Sequence, residues 1–377
     1  MRNEDPASHY PERNFLGIPF NSSRFTGNHL GYQIDSKFLE TTHDIADWHF
    51  NLRGLTLDYI LGFFFYSVGL QLRFEFKEGG LQDRKVLVVS SLAAALGMAT
   101  PALIYFIFNK ANGTPTTGWG ATMATDLPFV LAMLVVLKKN NLKGFVLALA
   151  TIDDIGSVIV LSILYKQHIH WGYLALLLAV LGIYLLASYL LTSRLLFVLI
   201  FTVGLAIGHL TGIQTSLIAV LFGIATLKPR KASRDLPSEL LRTIEPVSAF
   251  LVIPIFVFVS LFRHYGFSLS ALSTRLVLTL VIARIIGKPI GIFLGITLGS
   301  LALRVKMPFN RGEAFLIGAL GTLGLDVSLI FAQRDFTGVL QNRAILGILV
   351  TIPLAVLVSV LVWAVTPGAF PKRADNL

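Results

Sequence analysis

The sequence predicts an all-α polytopic membrane protein with about eleven transmembrane helices, and three observations carry that expectation. Of its 377 residues 54% are hydrophobic and 14% charged, whereas a soluble domain carries about 25% charge. The apolar residues fall into blocks of about 20, the length an α-helix needs to cross the hydrocarbon core of a bilayer. Basic residues gather in alternate loops between the blocks, 18 on one side and six on the other. That asymmetry places the richer side in the cytoplasm.

Taken in order, residues 1–54 are a polar segment with no apolar core long enough for a cleavable signal peptide. Short alternating stretches between Leu30 and Asn51, such as Leu30-Gly31-Tyr32-Gln33-Ile34, suit a small surface hairpin. A single transmembrane domain, 55–367, follows, and 368–377 form a short cytoplasmic tail. The apolar blocks cover roughly 55–72, 86–108, 119–137, 144–165, 172–191, 195–210, 214–227, 248–262, 276–299, 313–332 and 344–366. Blocks 195–210 and 214–227 are short for a full crossing. Eleven crossings with a cytoplasmic tail leave the N-terminal segment outside, an awkward place for a polar stretch without a signal.

Four blocks hold residues that a purely structural helix avoids. Block 144–165 carries Thr151-Ile152-Asp153-Asp154 near its centre. One acid at the bilayer midplane costs about 2.5–3.5 kcal/mol on insertion scales, so a partner must come from elsewhere in the chain. Block 276–299 supplies a cation, Lys288, with Arg284 one turn earlier. Its Gly287, Gly291, Gly295 and Gly299 repeat every four residues and form a face that another backbone can approach. Block 119–137 reads Ala124-Thr125-Asp126-Leu127-Pro128. Pro128 removes a backbone donor and disfavours helix in the residue before it. Block 313–332 has Gly318, Gly321 and Gly324 ahead of Asp326 and Ser328, and glycine weakens a helix interior. Both read as discontinuous helices, which at membrane depth occur where protein or a watery cavity satisfies the backbone. A pair of them points to a transporter site.

The net charge of +10 does not indicate nucleic acid, because the basic residues lie in short loops and form no stripe interleaved with aromatics. There is no cysteine, which excludes disulfides and thiolate metal sites. No GxxxxGK[ST] loop is present, so nucleotide drive is not expected. An oxygen-rich midplane site suits a hard monovalent cation or a proton. A carboxylate that binds either one, but not both together, enforces exchange. Adjacent acids on a helix stand about 100° apart, so the simplest division has one facing the ion and one facing Lys288. Glu75 and Glu78, by the first loop, read as a solvated face, with Glu75 also an accessory candidate.

Several stretches, in order, resemble the signatures of the NhaA-type sodium/proton antiporters. These are Asp58 followed by Val68-Gly69-Leu70, Pro101 to Tyr105, Gly118-Trp119-Gly120 with Ala124-Thr125-Asp126, Ile152-Asp153-Asp154, Gly287-Lys288-Pro289-Ile290-Gly291, and Gly321 to Ser328. The resemblance implies two inverted repeats whose broken helices cross at the midplane. It implies exchange of sodium or lithium for protons in a bacterial inner membrane, serving pH and sodium homeostasis. No cofactor is implied, and the partners are the lipid bilayer, monovalent cations and a second copy of the chain. Asp154 matches the principal sodium and proton ligand, and Asp153 the acid that pairs with Lys288. Asp126, with Thr125 beside it, matches the acid that compensates the helix ends at the crossing. A dimerisation hairpin would fall within residues 30–50.

The departures are equally specific. The family usually has twelve spans, and its first helix is expected to be missing from this chain or encoded upstream. Gln71 stands where a Glu is usual, and Asp326 where a Thr is usual. Arg284 is expected to pair with Asp326, and Ser328 and Asp58 complete the accessory candidates. An inactive or regulatory relative is the alternative reading. An intramembrane aspartyl protease would need a Gly-x-Gly-Asp motif, which Gly324-Leu325-Asp326 lacks.

Overall fold

The computed structural model describes residues 43–45, 48–50, 59–165, 168–190, 194–229, 235–261, 269–307 and 309–366. The tail 368–377, the piece Leu30–Ile34 and Asp58 lie outside them. Two strands, β1 (His43–Ile45) and β2 (Trp48–Phe50), pair antiparallel with His43 opposite Phe50, within the stretch expected to hold a hairpin.

Among the described residues everything else regular is helical. In chain order come α1 (Leu61–Lys77), α2 (Arg84–Ala111), a 3-10 turn (Trp119–Thr122), α3 (Leu127–Val136) and α4 (Lys143–Leu164). Then follow α5 (Trp171–Leu190), α6 (Arg194–Leu210), α7 (Thr215–Ala225) and α8. Helix α8 starts at Leu236–Val247 and runs through a π turn at Ser248–Val252 into Ile253–Leu261. Last come α9 (Arg275–Leu303), α10 (Arg311–Leu320), α11 (Asp326–Asp335) and α12 (Gly338–Val365). Among the described residues seven helical runs are long and apolar enough to cross a membrane. The other four predicted blocks are α1, of 17 residues, the short α6 and α7, and the run 311–335, which is divided in two.

The largest miss at a predicted boundary is at α8. The block placed at 248–262 begins at Leu236. Its first turns are amphipathic: Leu236, Leu240 and Leu241 are buried, while Arg242 and Thr243 face out. Polar residues dilute the hydropathy there, so an apolar-run criterion misses a helix whose pattern is the 3.6-residue period instead.

The order long helix, broken span, helix occurs twice, over α2 to α4 and over α9 to α12. The two sets start an odd number of crossings apart and so run in opposite directions through the membrane. Helices α2 and α9 pack side by side along the glycine face. A Cβ on Gly287, Gly291, Gly295 or Gly299 would meet α2 backbone at Pro101, Leu96, Ala93 and Val89 respectively, which is the close approach that small residues permit. Many large apolar side chains point outward, among them Leu103, Val135, Ile163 and Leu178, as a hydrocarbon solvent allows.

The buried apolar residues form two clusters. Along α4 the change from one to the other falls between Leu149 and Val158, and along α9 between Ala283 and Ile292. Asp153, Asp154 and Lys288 lie in that seam.

Candidate functional site

The site is built where the two broken helices meet. In the first, the 3-10 turn gives way to non-helical Ala124–Asp126, and α3 begins with Pro128 in its opening turn. A missing N–H costs nothing there, because the first donors of a helix have no internal partner. In the second, α10 stops at Leu320 and residues 321–325 leave the helix before α11 begins.

The two irregular stretches lie against each other. Asp126 N donates to Leu323 O at 2.7 Å, and Asp126 Oδ2 accepts from Leu325 N at 2.7 Å and Asp326 N at 3.3 Å. Thr125 Oγ1 donates to Gly321 O at 2.7 Å. A carboxylate thus meets the exposed amide end of α11, and a hydroxyl meets the exposed carbonyl end of α10, each opposing the partial charge of that terminus. Gly324 permits the contact, since a Cβ there would run into the Ala124 carbonyl oxygen.

Helix α4 brings two acids to this crossing. Lys288 Nζ lies 2.8 Å from Asp153 Oδ2, with the two side chains 0% and 3% exposed. Lys288 also donates to Met123 O at the edge of the first break. Asp154 is buried too, yet it has no hydrogen bond or ion pair among the described residues. Asp153, Asp126 and Lys288 are the charges that act on it. Thr151 donates to its own helix at Leu147 O, 2.8 Å away, and is not available to the site.

Asp326 and Ser328 are buried beside the crossing. Asp326 Oδ1 accepts from Val327 N at 2.6 Å, and its carboxyl adjoins that of Asp126; among the described residues its Oδ2 and Ser328 Oγ have no hydrogen bond of ordinary geometry. The expected Arg284–Asp326 ion pair does not form. Arg284 Nη2 donates instead to Gly324 O and, at 3.3 Å, to Thr322 O. The break strands carbonyls that a helix would have satisfied, and they compete for the guanidinium. Glu75 is a second correction: it is sealed from solvent, with Oε2 accepting from Gly80 N at 2.9 Å, whereas Glu78 is exposed. The turn at Gly79-Gly80 folds back over the carboxylate, which no local pattern announces.

The family described as Na+/H+ antiporter 1 matches residues 28–363. The chain belongs to this family. A Na(+)/H(+) antiporter NhaA of Haemophilus ducreyi is 32% identical over 292 residues, covering 74% of this chain and 73% of that protein. One from Yersinia pseudotuberculosis is 32% identical over 310 residues, 78% and 77%. Another from Aliivibrio fischeri is 29% identical over 328 residues, 84% and 85%.

Two further contacts in this member of the Na+/H+ antiporter 1 family were not evident from the sequence. At the end with the basic loops, Lys139 Nζ lies 2.8 Å from Glu313 Oε1, joining the end of α3 to the start of α10. Glu313 also closes a reciprocal cap with Asn310, which fixes its side chain for the pair. At the opposite end Tyr165 Oη lies 2.5 Å from Asp335 Oδ1, joining α4 to α11. There Phe331 and Phe336 cover Gly120 and Gly118. The crossing is therefore tied at both ends. Asn310 three residues before Glu313 was a readable capping signal; nothing local marks the other partners.

Proposed function

We propose that the protein exchanges sodium or lithium ions for protons by alternating access, with Asp154 as the carboxylate that takes either ligand. Family membership supports the chemistry, and the observation that carries the site is the contrast between two neighbouring acids. Asp153 is committed to Lys288. Asp154, on the same helix and in the same seam, has no hydrogen bond or ion pair among the described residues. A buried carboxylate without a partner is costly to keep charged and so holds a cation or a proton. Among the described residues no three His, Asp or Glu side chains are close enough to hold a metal ion by themselves. The cargo ion therefore draws its remaining ligands from carbonyls, hydroxyls or water.

The reading includes Asp126 and Thr125 as compensators of the crossing, and Asp153 and Lys288 as the adjoining pair whose charge responds to occupancy. It sets the protein in a bacterial inner membrane, in pH and sodium homeostasis, and in a homodimer formed partly through the hairpin within residues 30–50. Everted vesicles that hold a respiratory proton gradient test it. Sodium and lithium, but not potassium, dissipate the gradient, read as dequenching of a pH dye, and Asp154→Asn abolishes the response. Full response in Asp154→Asn refutes the site. No response in the native protein, with folded protein in the membrane, supports an inactive relative instead.

A further inference from the structure

Helix α9 delivers two cations to the crossing from successive turns. Lys288 reaches the first break at Met123 O, and Arg284 reaches the second at Thr322 O and Gly324 O. A π turn at Ala283–Gly287 contains Arg284 and ends just before Lys288, a backbone irregularity common at functional sites. Arg284 is fully buried, and among the described residues its Nε and Nη1 have no partner. An arginine cannot shed its proton in a protein, so this is a permanent charge. The carboxyl groups of Asp126, Asp153 and Asp326 act on it, none of them in an ion pair with it.

The peptides from Thr322 to Asp326 are thus held from opposite sides. The Thr322 and Gly324 carbonyls point to Arg284, the Leu323 carbonyl accepts from Asp126 N, and the amides of Leu325 and Asp326 point to the Asp126 carboxylate. The Asp126 carboxylate has a hold on the second break only while those amides face it. Gly321 and Gly324 leave this stretch soft; Thr125 and the Asp126 amide hold the Gly321 and Leu323 carbonyls, and the anchor on the Thr322 and Gly324 carbonyls is Arg284.

We propose that Arg284 is a positioning residue for the ion site: it pins the carbonyls of the second break so that the amides are presented to Asp126. The assignment rests on the antiport reading for its kinetic consequence and on geometry alone for its structural one. Loss of the pin slackens the crossing. Ion affinity falls while the turnover of bound ion is kept, and the buried break opens to water.

Both consequences can be read. In everted vesicles Arg284→Gln raises the apparent KM for sodium about tenfold or more, the effect of one lost charge-assisted hydrogen bond, with the maximal response at saturating sodium retained. Arg284→Lys, which keeps the charge but ends shorter, falls between. Adding Asp326→Asn to Arg284→Gln does not restore the native KM. A role as mere counter-charge to Asp326 predicts a lowered KM that Asp326→Asn reverses, and a merely structural role lowers the folded amount with KM unchanged; either result overturns the proposal. The chain has no cysteine, so Leu323→Cys, at a side chain 1% exposed in the break, gives a second readout independent of transport. A water-soluble maleimide labels it about tenfold faster in Arg284→Gln and measurably faster in Arg284→Lys, the opening costing about 1.4 kcal/mol less. Unchanged labelling in both variants overturns the pin even if the native protein shows no sodium response. Should Arg284→Gln not accumulate folded, Arg284→Lys decides by the same two measurements.

Discussion

Replacing Lys288 by Met strands the Asp153 carboxylate in a site where the pair is 0% and 3% exposed. Breaking a buried ion pair from one side costs about 3–5 kcal/mol, because the surviving charge stays buried without compensation. Asp153→Asn costs a similar amount by stranding Lys288. Neutralising both leaves two buried polar groups without Lys288, the Met123 carbonyl and the Asn side-chain amide at position 153, at about 1–3 kcal/mol each. The double substitution is therefore several kcal/mol less damaging than the sum of the singles. Unfolding in detergent followed by tryptophan fluorescence, with all four proteins in one double-mutant cycle, measures the coupling. Additive losses would refute the reasoning: they would mean that the two charges are each solvated or partnered separately, and that the 2.8 Å contact carries no energy.

Three other outcomes follow from the same geometry. Asp126→Asn keeps an acceptor for Leu325 N and Asp326 N and destabilises by about 1 kcal/mol or less, whereas Asp126→Leu leaves those amides unpaired and costs about 1–3 kcal/mol; the same unfolding assay ranks them. Glu313→Lys sets two cations face to face at the Lys139 contact, and Lys139→Glu sets two anions there. Each single loses folded yield, measured by fluorescence-detected gel filtration, and the swapped pair recovers it by about 1 kcal/mol or more; a swap no better than the singles refutes the tie. Gly324→Ala drives a methyl into the Ala124 carbonyl and removes sodium-driven dye response even where protein accumulates, while Gly172→Ala, with open space around it, is neutral in both measurements.

What the sequence made legible was whatever membrane physics makes expensive. Blocks of apolar residues reveal spans because lipid leaves a helix few alternatives. Pro128 and the glycines near 321 reveal breaks because they weaken a helix from within. Asp153, Asp154 and Lys288 attract notice because isolated charges at the midplane are costly. The sequence was silent where the cost is paid by distant partners. Lys139 looks like a loop charge until Glu313, 174 residues later, is folded against it. Glu75 looks solvated until the following turn closes over it. Arg284 and Asp326 look like a pair because opposite charges invite pairing, and only the folded break shows carbonyls with a prior claim on the guanidinium. The start of α8 was missed for the opposite reason: its burial is a stripe and not a block.

The central claim is that Asp154 is the exchangeable carboxylate. Uptake of radioactive sodium into proteoliposomes, driven by an acidic interior, tests it most directly because it follows the ion itself. The account predicts rapid accumulation by the native protein and, for folded Asp154→Asn, uptake no faster than into empty liposomes. Native-rate uptake by Asp154→Asn would contradict it.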